Sequence, residues 1–297
     1  MIYFIVFAVI LSAGAVWRAR RIEALSAESM RRRPLGANGI VVGGESIVLE
    51  RAGAPAVLII HGAGDTPQTV RYLADALFAH GYHVEAPLLP GHGRQVRDFR
   101  RVNADDWFAA VRVAFTDLAR VHSWVSVIGV SMGGALAVQL AAEHPDIPAL
   151  GLVAPYLTMP KKIDRAARLA WLWGVASPVV RSAEGLSILD PTERERNLAY
   201  GVFTSSALRA LHATVLRAAA ALPRVKSPTL FVQSRGDNRI AVCAAEQAFV
   251  HLGAKERRLE WIEGAAHVIT VDYGRENVIA MLVAWMDEHR ARVQITQ

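Results

Sequence analysis

Gly129-Val130-Ser131-Met132-Gly133 constrains this chain more than any other stretch. The residues before it, Trp124-Val125-Ser126-Val127-Ile128, are strand formers, and those after it, from Gly133 to Glu143, form a helical pattern. A strand that passes into a helix at a serine between glycines must turn sharply, with strand and helix backbones in close approach. Such a turn lifts the Ser131 hydroxyl above the end of a sheet. It also sets the Met132 N–H at the positive end of a helix, where a developing oxyanion is favoured. The pentapeptide alone recurs by chance; the strand and helix around it give it meaning.

The same alternation extends along most of the chain. Ala56 to Ile60 reads as a buried strand ending at His61-Gly62-Ala63-Gly64, and Thr69 to His80 as a helix with Val70, Leu73, Ala74 and Leu77 on one side. His83 to Pro87 reads as a strand before Gly91-His92-Gly93, Ala104 to Val121 as a helix, and residues 149–153 as a strand. The pattern resumes with strands at 229–232 and 259–262 and helices at 244–251 and 277–289, the last burying Ile279, Leu282, Val283 and Met286. Strands alternating with helices predict an α/β fold with a mostly parallel sheet flanked by helices. Between Ala154 and Leu222 the alternation lapses into helical stretches near 164–175 and 194–202 and an apolar run at 208–222, which predicts a helical cap inserted over the sheet's carboxyl edge. The expected organisation is residues 1–21 as an apolar N-terminal helix, 22–55 as a linker with short initial strands, 56–153 and 223–297 as the two halves of the core, and 154–222 as the cap. Most apolar cap residues are expected to pack the cap itself, with Trp171, Trp173 and Phe203 as candidates for a substrate wall.

Ser131, Asp237 and His267 each follow an expected strand, in the order serine, acid, histidine. A neutral hydroxyl is a poor nucleophile, so His267 would accept its proton during attack on a carbonyl, and Asp237 would orient the imidazole and stabilise its charged form. Asp237 could instead cap a turn, with Asp272 and Glu263 as the alternative acids. The Ala63 N–H is the preferred second oxyanion donor, opposite Met132. His61 and His92 sit beside glycines and are read as structural. Cys243, the sole cysteine, can form no intramolecular disulfide, lacks a nucleophile motif and reads as a small core side chain.

His61-Gly62-Ala63-Gly64, Gly91-His92-Gly93, Gly129-Val130-Ser131-Met132-Gly133-Gly134, Gly236-Asp237 and Gly264-Ala265-Ala266-His267-Val268-Ile269-Thr270, in that order, resemble the α/β-hydrolase superfamily, especially microbial carboxylesterases and monoacylglycerol-lipase-like enzymes. The resemblance spans about residues 56–290. It implies hydrolysis through an acyl-enzyme, with Ser131 as nucleophile, His267 as acid and base, Asp237 as orienting acid and the N–H groups of Ala63 and Met132 as oxyanion donors. No metal or cofactor is needed. The expected substrates are monoacylglycerols or short-to-medium acyl esters; an amide or peptide hydrolase, a thioesterase, and a noncatalytic ligand-binding or membrane-associated module on the same scaffold remain open. The resemblance does not set the oligomeric state.

At 297 residues and 53% hydrophobic, the chain can bury a substantial core. A net charge of +6 permits attraction to anionic surfaces, but the basic residues are scattered, no zinc-finger series or aromatic RNA-binding pattern appears, and no nucleic-acid partner is expected. Arg31-Arg32-Arg33 reads as a solvated or membrane-proximal face. Residues 2–17 are almost continuously apolar before Arg18, Arg20 and Arg21, which suggests a single membrane anchor, with a cleaved signal peptide or a surface-lying or protein-packed helix as the alternatives. An anchor would leave the catalytic body in the cytoplasm by the positive-inside rule; signal cleavage would export it.

Overall fold

The structure, a computed structural model, describes residues 2–176, 179–181 and 187–295. Parts of the expected cap, at 177–178 and 182–186, and the two C-terminal residues lie outside the described residues. Among the described residues, seven strands form one sheet: β1 (Ile47–Leu49), β2 (Ala56–Ile60), β3 (His83–Ala86), β4 (Val125–Val130), β5 (Leu150–Val153), β8 (Thr229–Ser234) and β9 (Arg257–Ile262). A two-stranded antiparallel ribbon, β6 (Val179–Arg181) and β7 (Val202–Thr204), stands apart in the insertion between β5 and β8. The sheet order is β1-β3-β2-β4-β5-β8-β9, with only β1 antiparallel to its neighbour.

This order explains the apolar runs. On β2, Ala56, Leu58 and Ile60 enter one core cluster and Val57 and Ile59 the other, because successive side chains leave opposite faces of a strand. Both faces are covered, so the strand needs no polar side. The first cluster packs against α4 (Ala104–Val121), α5 (Met132–Glu143) and α9 (Ser205–Ala221); the second packs against α2 (Arg71–Ala79) and α11 (Arg275–Ile295). α5 is wedged between β4 and α9 and buries every residue from Met132 to Ala141, so it is apolar on nearly every side rather than striped, and the one polar side chain among them, Gln139, donates to the Ala135 and Thr214 carbonyls. α4 begins where Asn103 accepts the N–H groups of Asp105 and Asp106 while Asp106 accepts the Asn103 N–H, a reciprocal cap.

The chain passes from β2 outward to β3, then crosses back to β4 beside β2 and continues to the other side. The carboxyl ends of β2 and β4 therefore flank the point where winding direction reverses, the usual place for a ligand crevice in an open parallel sheet. The segments after those two strands carry Ala63 and Ser131.

Three expectations need correction. The helix read at 194–202 is instead α8 (Pro191–Arg196): Asp190 caps it by accepting the Thr192 and Glu193 N–H groups, Pro191 takes its first turn, and the chain leaves helical geometry at Asn197 before β7. The linker expected from residue 22 begins as helix, since α1 runs over Ile2–Arg32 and no Pro or Gly interrupts it between Gly14 and Pro34. The membrane-crossing anchor is also set aside. Among the described residues no helix is long and apolar enough to cross a membrane. At 1.5 Å per residue the run from Ile2 to Trp17 reaches about 24 Å against roughly 30 Å of hydrocarbon, and the same helix continues directly into Arg18, Arg20 and Arg21.

The turn between β4 and α5 depends on absent side chains. A Cβ on Gly129 would overlap the Gly133 carbonyl, one on Gly133 would overlap the Ile60 carbonyl, and one on Gly134 would stand 2.6 Å from the Pro155 Cβ. Gly133→Ala is expected to cost about 2–4 kcal/mol by overpacking backbone on backbone. Gly53→Ala, where φ is +67° but the space is open, is expected to cost only about 1–2 kcal/mol. Urea unfolding of the two variants checks this; equal losses would show that the turn tolerates a methyl group.

Candidate active site

Ser131 has φ 55° and ψ −117°, a strained conformation for a residue with a side chain. Its surroundings fix it: the Ser131 N–H donates to the Val153 carbonyl at 2.9 Å, and the Ser131 carbonyl accepts from Gly134 at 3.0 Å and Tyr156 at 2.9 Å. The hydroxyl is left at the carboxyl edge of the sheet. Gly62, after β2, packs on it so closely that a Cβ there would lie 3.9 Å from the Ser131 Oγ. Ala63 and Ser131 line the same cavity, while Met132 follows Ser131 as the first residue of α5 with its side chain buried.

β8 and β9 are neighbours, so the loops leaving their carboxyl ends bring Asp237 and His267 together. The His267 Nε2 lies 2.8 Å from the Ser131 Oγ, and its Nδ1 lies 2.8 Å from the Asp237 Oδ2. The Asp237 carboxyl is buried, and its Oδ1 accepts the N–H groups of Arg239 at 2.7 Å and Ile240 at 2.9 Å while Oδ2 also accepts from the Gln233 amide at 2.7 Å. Burial alone would raise its pKa. The hydrogen bond and charge of His267, with the two backbone N–H groups, outweigh burial and hold it below the ordinary carboxylate value. An ionised Asp237 can only accept, so Nδ1 carries the imidazole proton and Nε2 presents its lone pair to Ser131.

The two alternative acids lie elsewhere. Glu263 is exposed and pairs with Arg235 at 3.1 Å, and Asp272 binds backbone N–H groups rather than the imidazole. His61 is buried, with Nε2 accepting the Leu89 N–H at 3.1 Å and Nδ1 2.9 Å from the Gly62 carbonyl; burial pushes its pKa down to about 4, so it is neutral and holds the loop. His92 is likewise buried, packs edge-on against His61 and Phe99, and is kept neutral by burial. Cys243 is exposed on α10 (Val242–His251) instead of filling the core.

Ser131 and His267 open into a cavity of about 1340 Å³. The cap supplies an apolar wall: Ile163 on α6 (Lys161–Arg168), Trp173 on α7 (Ala170–Ala176), Phe203 on β7, and Leu208 and Leu211 on α9. Trp171 is exposed and takes no part. The rest of the lining is mixed, and its polar side chains include Arg33, Asp65, Asn197 and Arg239. Sequence reasoning missed Asp65 and Tyr156. Tyr156 stands edge-on to the His267 ring, and burial pushes its hydroxyl pKa up to about 12. Asp65 is buried just beyond Ala63, accepts the Thr66 N–H at 2.9 Å, and is raised to about 6 by burial, against the opposing pull of Thr66, Thr69, Arg33 and His267. Only its place directly after the His61-Gly62-Ala63-Gly64 turn marked it in the sequence.

Residues 53–273 match the family model described as serine aminopeptidase, S33. A thermostable monoacylglycerol lipase from Bacillus sp. (strain H-257) is 28% identical over 250 residues, 84% of this chain and 97% of the relative. A carboxylesterase from Bacillus subtilis (strain 168) is 26% identical over 230 residues, 77% of this chain and 90% of the relative. Among solved structures, one of the metagenome-derived lipolytic enzymes LipS and LipT superposes with a TM-score of 0.77 at 27% identity, covering 84% of this chain and all of the other. With its parallel sheet, its serine turn and this match over most of its length, the chain is a serine hydrolase of the α/β-hydrolase superfamily and belongs to the serine aminopeptidase S33 family.

Proposed function

We propose that the chain hydrolyses carboxylic esters through an acyl-enzyme on Ser131. The observation that carries this reading is the unbroken pair of 2.8 Å contacts from the Ser131 hydroxyl through His267 to Asp237. As the Ser131 Oγ attacks the ester carbonyl, its proton passes to His267 Nε2, and Asp237 stabilises the imidazolium. The Ala63 and Met132 N–H groups take up the oxyanion, favouring the tetrahedral intermediate over the flat ester. Collapse expels the alcohol, which takes the proton from His267. Water, deprotonated by His267, then attacks the acyl-enzyme, and the carboxylic acid leaves as Ser131 regains its proton.

The cavity favours an amphipathic substrate. Its cap wall suits an acyl chain, and its polar side chains, Arg33 and Asp65 among them, suit the hydroxyls of a polyol leaving group. Monoacylglycerols and short-to-medium acyl esters fit both, in keeping with the names carried by the two full-length relatives. A second reading has its own support: the family description names an aminopeptidase, and a buried carboxylate in the cavity would suit a substrate ammonium.

Matched glyceryl esters, methyl esters, thioesters and aminoacyl amides, assayed beside labelling by a serine-directed phosphonate, separate these readings. Ser131→Ala and His267→Ala are each expected to lower ester turnover by about 10³-fold or more, and Ser131→Ala to abolish labelling. Fast hydrolysis in both variants would overturn the mechanism, and strong amide turnover with little ester turnover would reverse the substrate preference.

Asp65 supplies a pH test. Its folded pKa of about 6 lies above the ordinary value of 3.8 expected when unfolded, so the unfolded chain ionises first. The neutral carboxyl's stability is therefore full below pH 3.8 and is lost as pH rises through about 6. Asp65→Asn is expected to be more stable than the parent by on the order of 1–3 kcal/mol at pH 7–8, with the difference closing toward pH 4. Denaturant melts across that range check the sign. A gap that widens toward acid would show that the carboxylate is favoured by its site.

A further inference from the structure

Two N–H groups bracket His267: one ends on Asp272, which also holds the cap root, and the other on the cap root itself. Asp272, fully buried between β9 and α11, accepts the Ala266 N–H on Oδ2 at 2.7 Å. Its Oδ1 accepts Leu189 and Asp190, both at 2.8 Å, and Tyr273 at 2.9 Å. Leu189 and Asp190 lie where the insertion enters α8. On the other side of the histidine, the Val268 N–H donates to the Ser187 carbonyl at 2.9 Å. The Ser187 hydroxyl in turn accepts from the Arg239 guanidinium at 2.9 Å, two residues beyond Asp237. The Asp272 carboxylate and the Ser187 carbonyl thus join residues 187–190 to the loop that presents the imidazole, and the Ser187 hydroxyl joins them to the loop of its acid.

We propose that Asp272 is a positioning residue that makes docking of the cap root and seating of His267 one structural event. The inference rests on His267 being the acid and base of the reaction. Four N–H groups converge on a single carboxylate, so the group that holds Ala266 is itself held in place by residues 189 and 190, and loosening them lets it move. A shift of about 1 Å in the imidazole would stretch both of its 2.8 Å contacts and can cost on the order of 100-fold in rate. Asparagine cannot reproduce the site. Its oxygen can serve Leu189, Asp190 and Tyr273 or serve Ala266, but its amide nitrogen then meets an N–H on the other side.

The experiment is a double-mutant cycle of Asp272→Asn and His267→Ala, read on an activated aryl ester so that residual rates remain measurable. In the parent background, Asp272→Asn is expected to lower kcat by about 10- to 100-fold with KM changed less than about threefold. In the His267→Ala background it is expected to change the rate by less than about threefold, because its effect runs through the imidazole. An equal loss in both backgrounds, or no loss in the parent, overturns the inference. Full activity in His267→Ala alone would instead remove the catalytic reading beneath it. Hydrogen exchange on the unaltered protein gives a second measure that needs no variant to fold: the amides of Leu189, Asp190, Ala266 and Val268 are expected to open as one unit. Rapid exchange at Leu189 and Asp190 with Ala266 and Val268 still protected would refute the coupling.

Discussion

The contact that governs the molecule is the bare meeting of α5 with the end of β2. Gly133 lies against the Ile60 carbonyl with no room for a methyl group, and Gly129 and Gly134 complete the approach. That closeness lets the chain turn from β4 into α5 in a single residue. The residue is Ser131, and its positive φ is held by hydrogen bonds to Val153, Gly134 and Tyr156. Strain of this kind persists only where the surroundings over-determine it. Here they include the fully buried end of β5 and first turn of α5, so the partly exposed Ser131 hydroxyl rests on the least yielding part of the core.

Sheet order then decides which loops can reach Ser131. β2 adjoins β4, which puts the Ala63 turn beside the serine; β8 and β9 lie side by side, which puts Asp237 and His267 within hydrogen-bond reach of one another. Residues separated widely in sequence meet because each follows a parallel strand and parallel strands end on one edge. Electrostatics completes the arrangement. Burial works against the Asp237 charge, but the imidazole and two backbone N–H groups outweigh it, so the acid stays ionised and fixes which imidazole nitrogen is free.

Most of the core was legible because its signals are local. Strand β2 is uniformly apolar since both faces are covered, and α4 carries its own cap at Asn103. The turn at Ser131 was legible from glycine spacing. The insertion was not, for physical reasons. The β6–β7 ribbon is only three residues on each strand and draws its support from the body it packs on, and the end of α8 depends on Asn197 and Gly201 breaking a pattern that still looks helical. Arg18, Arg20 and Arg21 suggest a boundary after the apolar run, yet charged residues continue a helix readily when no Pro or Gly intervenes, and α1 runs on to Arg32. In the sequence Asp272 reads only as an alternative acid for His267. Its actual partners are N–H groups far apart in sequence, which no local pattern reports.

The insertion is moored to the core by polar contacts at several points. Glu193 on α8 is almost fully buried and meets the Arg71 guanidinium and the Tyr72 hydroxyl of α2; burial opposes its charge, but those partners and Arg196 hold its pKa below the ordinary value. Such a pair adds little net stability compared with an apolar contact, because desolvation offsets much of the attraction, yet it permits few alternative placements of α8. Further along, the Tyr200 N–H donates to the Gly64 carbonyl and its hydroxyl to the Gly91 carbonyl, tying the start of β7 to the two glycine turns beside Ala63 and His92. The wall that encloses the cavity is therefore bonded to the Ala63 turn at one end and to the His267 loop at the other. Cavity shape and site alignment share the same hydrogen bonds, so a change in how the insertion sits must alter both together.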